Sequence, residues 1–303
     1  MQSEIVTITD EIDAHLTKSE RLRFMNHSVA LRYARSAAEL AESQGDVHRY
    51  GLALKYITWC YGALNENERA LTYAIEGLKL AREFNLPDIE AEMVGAVGHC
   101  YYRIGILDDA RHLFEHQYVL GQQLDDPLIM VTALIDQAAP KTVTKDYCGA
   151  AEALERALAL MSDGEFRNAR VHTAALINLA LVYDAQDMHE QALEYARQAL
   201  PEANDLPLFA SDAHLVMASV YRKRGDLVTA QSHVDMSRAH AASTMPPSIN
   251  YNIEVLRFEL MQAEGNMEGA LKILEVTYER AIKTEQLSQA VRILDILRAT
   301  HEQ

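Results

Sequence analysis

At residues 112–116 the chain spells His-Leu-Phe-Glu-His, an H-x-x-E-H pattern. On a helix His112 and His116 stand one turn apart, so both imidazoles could hold one divalent cation while Glu115 acts as a base. That is the chemistry of a zinc hydrolase. It needs a third ligand, and none is identifiable, since the other histidines are scattered without ligand spacing. Leu113 and Phe114, inside the motif, take positions that helix packing would claim, so two exposed or partly packed histidines are expected. Cys60, Cys100 and Cys148 form an odd, dispersed set without CxxC spacing and are expected to be buried small hydrophobes. No phosphate-binding glycine loop, dinucleotide fingerprint or nucleophile elbow occurs. Carboxylates abound, but on helices they usually form solvated faces, and no pair stands out as acid and base. The expectation is a protein with no catalytic residues, no metal and no cofactor.

Composition narrows the partners. Lys plus Arg number 28 against 44 Asp plus Glu, and a net charge of -16 repels nucleic-acid phosphate and anionic lipid over most of the surface. Proteins, peptides or small molecules fit better. The opening MQSEIVTITDEIDAHLTKSE lacks a basic start and an apolar run, and no later segment approaches the roughly 18 consecutive apolar residues of a membrane span. A cytoplasmic location is expected.

The elements that must position any site are written as a repeat. ALRYARSAAELA at 30–41 returns as ALTYAIEGLKLA at 70–81 and as ALEYARQALPEA at 192–203. Its first alanine marks Ala30, Ala70, Ala110, Ala150, Ala192, Ala230 and Ala270, with spacings of 40, 40, 40, 42, 38 and 40. Pro87, Pro127, Pro207 and Pro247 fall on one 40-residue grid of their own. Nine residues before the markers stand Tyr61, Tyr101, Tyr183, Tyr221 and Met261, and turns with Gly105, Gly225 and Gly265 follow three of them. Val94, Val97 and Tyr101 recur at helical spacing before Gly105; Ala110, Leu113, Phe114 and Tyr118 do so after it. Each unit is therefore a helical hairpin, with Asp126 as an N-cap and Pro127 at a first helical position, where its missing N–H costs nothing. Such a unit cannot bury its apolar faces alone, so neighbours must stack into a solenoid.

An aromatic, a glycine-containing turn, a small residue nine positions on and a boundary proline resemble the tetratricopeptide repeat (TPR) pattern. The best copies are VGHCYYRIGILDDARHLFEHQ at 97–117 and LALVYDAQDMHEQALEYARQAL at 179–200. The likeness covers about residues 10–300. Its period exceeds the commoner 34 residues, so it is similar to the longer variant of bacterial signalling proteins: sensor regions of transcriptional activators, quorum-sensing receptors and some diguanylate cyclases. The resemblance implies an all-α, right-handed superhelical solenoid over residues 1–303. Its seven repeats run about 10–45, 46–85, 86–125, 126–165, 166–205, 206–245 and 246–285. A last helix over 286–303, apolar at Leu287, Val291, Leu294 and Leu297, either caps the array or leads into a further domain.

In this family the first helix of each unit lines a concave groove. Carried over by position, that implies Lys55, Trp59, His99, Tyr102, Arg103, Asp184, Arg222 and Lys223 as candidate ligand-contacting residues. Trp59 is the sole tryptophan, and aromatics beside arginine carry much interface energy. Arg103, Arg222 and Lys223 could hold a carboxylate or phosphate, or could instead pair with acids of the repeat. The resemblance implies a scaffold or sensor that binds a protein or peptide segment and can self-associate as a dimer. An alternative is a regulatory region governing dimerisation of a larger enzyme such as a diguanylate cyclase. Unit four departs from the pattern: Lys141 stands where the aromatic belongs, and Pro140 is expected to break or kink its first helix.

Overall fold

The computed structural model describes residues 2–23, 26–64, 66–162, 166–203, 206–243, 251–283 and 287–301, and the side chains of 2–7, 287, 288 and 301 are outside that description. Among the described residues there are fifteen helices and no strand. They are α1 (Gln2–Leu22), α2 (His27–Gln44), α3 (Val47–Ala63), α4 (Asn67–Glu83), α5 (Pro87–Ile104), α6 (Leu107–Leu124), α7 (Pro127–Val143) and α8 (Tyr147–Ser162). There follow α9 (Ala169–Ala185), α10 (His189–Ala199), α11 (Pro207–Lys223), α12 (Leu227–Ala242), α13 (Tyr251–Ala263), α14 (Met267–Lys283) and α15 (Leu287–His301). None of the described helices is long and apolar enough to cross a membrane. The fold is an all-α helical repeat, and the chain forms two compact units, residues 1–171 and 172–303.

The turn inside each pair explains the nine-residue spacing. The residue nine before the marker accepts, through its carbonyl, the N–H of the residue five further on: Tyr61 from Glu66, Tyr101 from Ile106, Tyr183 from Met188, Tyr221 from Asp226 and Met261 from Asn266. That second residue then accepts the marker's N–H as the first bond of the second helix, as Ile106 does from Ala110 and Asp226 from Ala230. Five residues plus four make the nine. The residue between must turn left-handed, which is why Gly105, Gly225 and Gly265 sit at φ 86°, 80° and 81°. Asp187 and Lys145 take the same role without glycine.

All seven marker alanines are fully buried. The aromatic positions stack on the residue twelve further on: Tyr61 on Tyr73, Tyr183 on Tyr195 and Tyr221 on His233, each pair of centroids 5.5 Å apart. The preceding unit adds an arginine, Arg35 donating to the Tyr61 hydroxyl and Arg197 to that of Tyr221. Helical glycines serve close approach: an added Cβ at Gly98 would stand 2.7 Å from the Phe114 ring, and one at Gly95 2.4 Å from the Gln117 amide. Pro87, Pro127 and Pro207 open α5, α7 and α11, and the Asp126 carboxylate accepts the N–H groups of Leu128 and Ile129. Pro247 lies outside the described residues.

In the first unit the first helices pack on one another, α1 on α3, α3 on α5 and α5 on α7, as well as on their partners. Among the described residues the second helices show no comparable row, so α1, α3, α5 and α7 are the inner layer. Three expectations change. Pro140 does not end its helix: α7 runs to Val143, because Pro140 falls in the last turn, where its buried ring packs and its carbonyl still accepts from Thr144. Cys148 is exposed, since it belongs to the first turn of α8 and not to its packed face. On α15 the buried stripe is Ala290, Ile293 and Leu297, while Val291 is 59% exposed and Leu294 half-buried. An apolar residue every third or fourth position left two possible phases, and packing on α14 selects this one.

In the second unit the rings of His214 on α11 and His233 on α12 point their Nδ1 atoms at each other, 3.0 Å apart, with the His240 ring stacked on His214. One hydrogen bond needs one protonated and one bare nitrogen, so a second proton is opposed. Burial, then the neighbouring His233 and His240, push His214 down to about 4. Its folded value lies below the ordinary one of about 6.5, so protons favour the unfolded chain. The stability it contributes is complete above about pH 6.5 and is lost as pH falls through about 4. Thermal melts from pH 7 to 4 should therefore fall more steeply for the natural chain than for His214→Gln; parallel curves would refute this. Ala110→Leu should cost about 1–3 kcal/mol in a urea melt by overpacking a sealed interface.

Candidate functional site

Lys55, Trp59, His99, Tyr102 and Arg103 lie on the inner helices α3 and α5 of the first unit. Three of the five come together. Thr58, Trp59 and Gly62 of α3 and Ala96, His99, Cys100 and Arg103 of α5 line a small recess that opens to solvent. Trp59 is one wall, its ring 4.9 Å from the tilted His99 imidazole and 5.4 Å from the Arg23 guanidinium at the end of α1. His99 is fixed from two sides: Nε2 lies 2.9 Å from Asp136 Oδ2 of α7, and the ring meets Phe114 edge-on at 5.2 Å. The Arg103 guanidinium lies over Gly62, and a Cβ there would stand 3.8 Å from Arg103 Nε, in ordinary contact.

Arg103 is exposed to solvent, yet surrounding protein desolvates its guanidinium enough to lower its pKa, with Cys100 and Tyr102 opposing the shift. Both hold together when a side chain stands in a concavity, with many atoms around it and water still touching it. Among the described residues no hydrogen bond or ion pair reaches this guanidinium. Thr58 is 4% exposed, and its Oγ1 has no hydrogen-bond partner among those residues. Buried polar groups are rarely left so, because an unmade bond carries its full desolvation cost.

The remaining candidates are engaged within the protein. Lys55 Nζ meets Glu92 Oε1 at 2.5 Å. Tyr102 is half-buried outside the recess lining, its hydroxyl pKa raised by desolvation. In the second unit Arg222 pairs with Glu259 at 3.0 Å, and Lys223 lies 3.0 Å from both Asp184 and Asp187. Asp184 also accepts from Ser219. Here the pairing of groove cations with repeat acids is what occurs. The partner acids Asp136 and Glu259 were missed by residue-type reasoning, yet one signal marks them: each lies 37 residues after its base, as Glu92 does after Lys55, one repeat less nearly one helical turn. Thr58, Ala96 and Cys100 were missed too, since nothing about their types announces a recess.

The H-x-x-E-H residues are surface residues of α6. His112 Nδ1 lies 3.4 Å from Glu115 Oε2, both exposed, and His116 is exposed beside them. No group of three or more metal-ligating side chains is assembled among the described residues. Burial pushes the thiols of Cys60 and Cys100 up to about 12 and about 11, which makes them poor nucleophiles at neutral pH. Alkylation with iodoacetamide at pH 8, read by mass spectrometry, should therefore label Cys148 alone in the folded chain and all three cysteines in urea. Equal labelling of Cys100 without denaturant would contradict this burial.

No family model matches the chain, and no curated protein matches it. Solved structures do. A Rap protein complexed with competence and sporulation factor aligns at TM-score 0.64 and 15% identity, covering 96% of this chain and 75% of that one. NprR in complex with its cognate peptide NprX aligns at TM-score 0.64 and 16% identity, covering 95% and 87%. A tetratricopeptide repeat protein from Parabacteroides merdae aligns at TM-score 0.56 and 12% identity, covering 96% and 99%. At these identities the likeness is one of fold, and the fold is TPR-like.

Proposed function

We propose that this chain is a non-enzymatic scaffold that receives a peptide or protein segment at the recess between α3 and α5. The observation that carries this reading is the recess itself: an aromatic wall at Trp59, a floor without a side chain at Gly62 and, over it, the Arg103 guanidinium without a partner among the described residues. Aromatic and arginine anchors around a small desolvated pocket are the pattern of interface hot spots. The structure of NprR with its cognate peptide, of like fold, supports a peptide as the occupant. A role in signal transduction follows, with occupancy of the inner layer biasing how successive hairpins pack or how copies associate; repeat interfaces are local, so small changes at one add along an array.

The test is affinity selection of random octapeptides on the immobilised full chain, followed by binding measurements on Gly62→Leu and Trp59→Ala. Enriched peptides should bind the natural chain and lose roughly tenfold or more in affinity in Gly62→Leu, where the added side chain fills the floor, since a blocked pocket rejects its occupant sterically. Peptides that bind all three proteins alike would place the docking surface elsewhere.

A further inference from the structure

Ion pairs between successive first helices use several offsets, Arg49 with Asp13 36 residues back and His48 with Asp88 40 on, and three of them share one register. Lys55 meets Glu92, His99 meets Asp136 and Arg222 meets Glu259, each 37 residues on. Applied to Arg103, the same step arrives at Pro140. Proline carries no charge, and this one is buried in the last turn of α7. Its neighbour Lys141 is turned to another task, its ammonium donating to the Gly149 carbonyl at 3.2 Å. In a chain with 44 acidic residues to 28 basic ones, a groove arginine without an acid is conspicuous.

Resting on the reading of the recess as a docking site, we infer that it recognises its occupant by a carboxylate, received by the Arg103 guanidinium where it lies over Gly62. The guanidinium presents a planar fork matched to the two oxygens of a carboxylate. Arg103 is the one lysine or arginine among the described lining residues, which suits a monoanion better than a phosphate dianion. Thr58 supplies the second observation: a hydroxyl in a side chain more than nine-tenths buried, in the wall of the same recess, with no hydrogen-bond partner among the described residues. Trp59 and Ala96 give the rest of the occupant an apolar surface, and Gly62 limits what can be accommodated beside the guanidinium.

Trp59 is the only tryptophan, so its fluorescence in the full chain reports the recess directly. Three probes are titrated: N-acetyl-alanine, N-acetyl-alaninamide, and N-acetyl-aspartic acid amidated at its α-carboxyl. The expected result is a response to N-acetyl-alanine, to the aspartate probe or to both, with the neutral alaninamide at least about tenfold weaker, the range of a charge-assisted bond. A terminal carboxylate is the source if N-acetyl-alanine wins, an acidic side chain if the aspartate probe does. Arg103→Gln should remove the response, and Thr58→Val should weaken it without lowering Tm, because that hydroxyl has no hydrogen-bond partner among the described residues. Pro140→Glu should abolish it by supplying an internal acid. Equal binding of the alaninamide, an unchanged titration in folded Arg103→Gln, or no response to any probe would overturn the inference. The two readings fail separately. Selected octapeptides that need Gly62 but bind Arg103→Gln normally would sink the carboxylate and spare the docking site. A carboxylate response with no recess-dependent octapeptide would do the reverse.

Discussion

Two backbone hydrogen bonds laid end to end hold each helical pair at a fixed offset, and the rest of the structure depends on that offset. The carbonyl of the residue nine before the marker takes an N–H from five residues on, whose own carbonyl takes the marker's N–H. Because the path length is set by the backbone, the marker always returns against the first helix, where only a small side chain fits. All seven markers are alanine and all seven are sealed from water. The aromatic that starts the path then stacks on the residue twelve further on, filling the space the alanine leaves farther along the pair.

With the pairs fixed, the inner helices are fixed relative to their neighbours, and the 37-residue charge register is a consequence. Where a charge on one first helix faces the position one repeat ahead and nearly one turn back, the two are complementary in three pairs, while His48 with Asp88 and Arg49 with Asp13 use other offsets. The three are Lys55 with Glu92 and His99 with Asp136 in the first unit, and Arg222 with Glu259 in the second. Partly exposed pairs of this kind are each worth little, roughly 1 kcal/mol or less, so they serve the choice of register more than overall stability. The break at Pro140 is correspondingly cheap to the fold, and it leaves Arg103 available in a recess that already has an aromatic wall.

Much of this was legible in the residues. The alanine grid, the prolines at 87, 127 and 207, the cap at Asp126 and the glycine turns all follow from backbone chemistry that acts locally, so sequence alone exposes them. Trp59, His99 and Arg103 came from position within a resembled repeat. That reasoning could not separate Arg103, left open, from Arg222 and Lys223, which are paired, because the difference lies in what stands one repeat away. The phase of α15 was ambiguous for a similar reason: Val291 and Ile293 are equally apolar, and only contact with α14 decides which is covered. Pro140 misled because a helix-interior rule was applied to a last turn, where there is almost no helix left to break.

The offset that links Lys55 to Glu92, carried one helix further, would link position 103 to position 140. A double-mutant cycle on Arg103→Gln and Pro140→Glu, with unfolding free energies from urea melts, measures that link without any ligand. The account predicts a favourable coupling of about 1 kcal/mol between Arg103 and the glutamate introduced in place of Pro140, in the range seen for contacting residues. Strict additivity of the two substitutions would show that the register does not reach Pro140, and would leave the openness of Arg103 without its explanation.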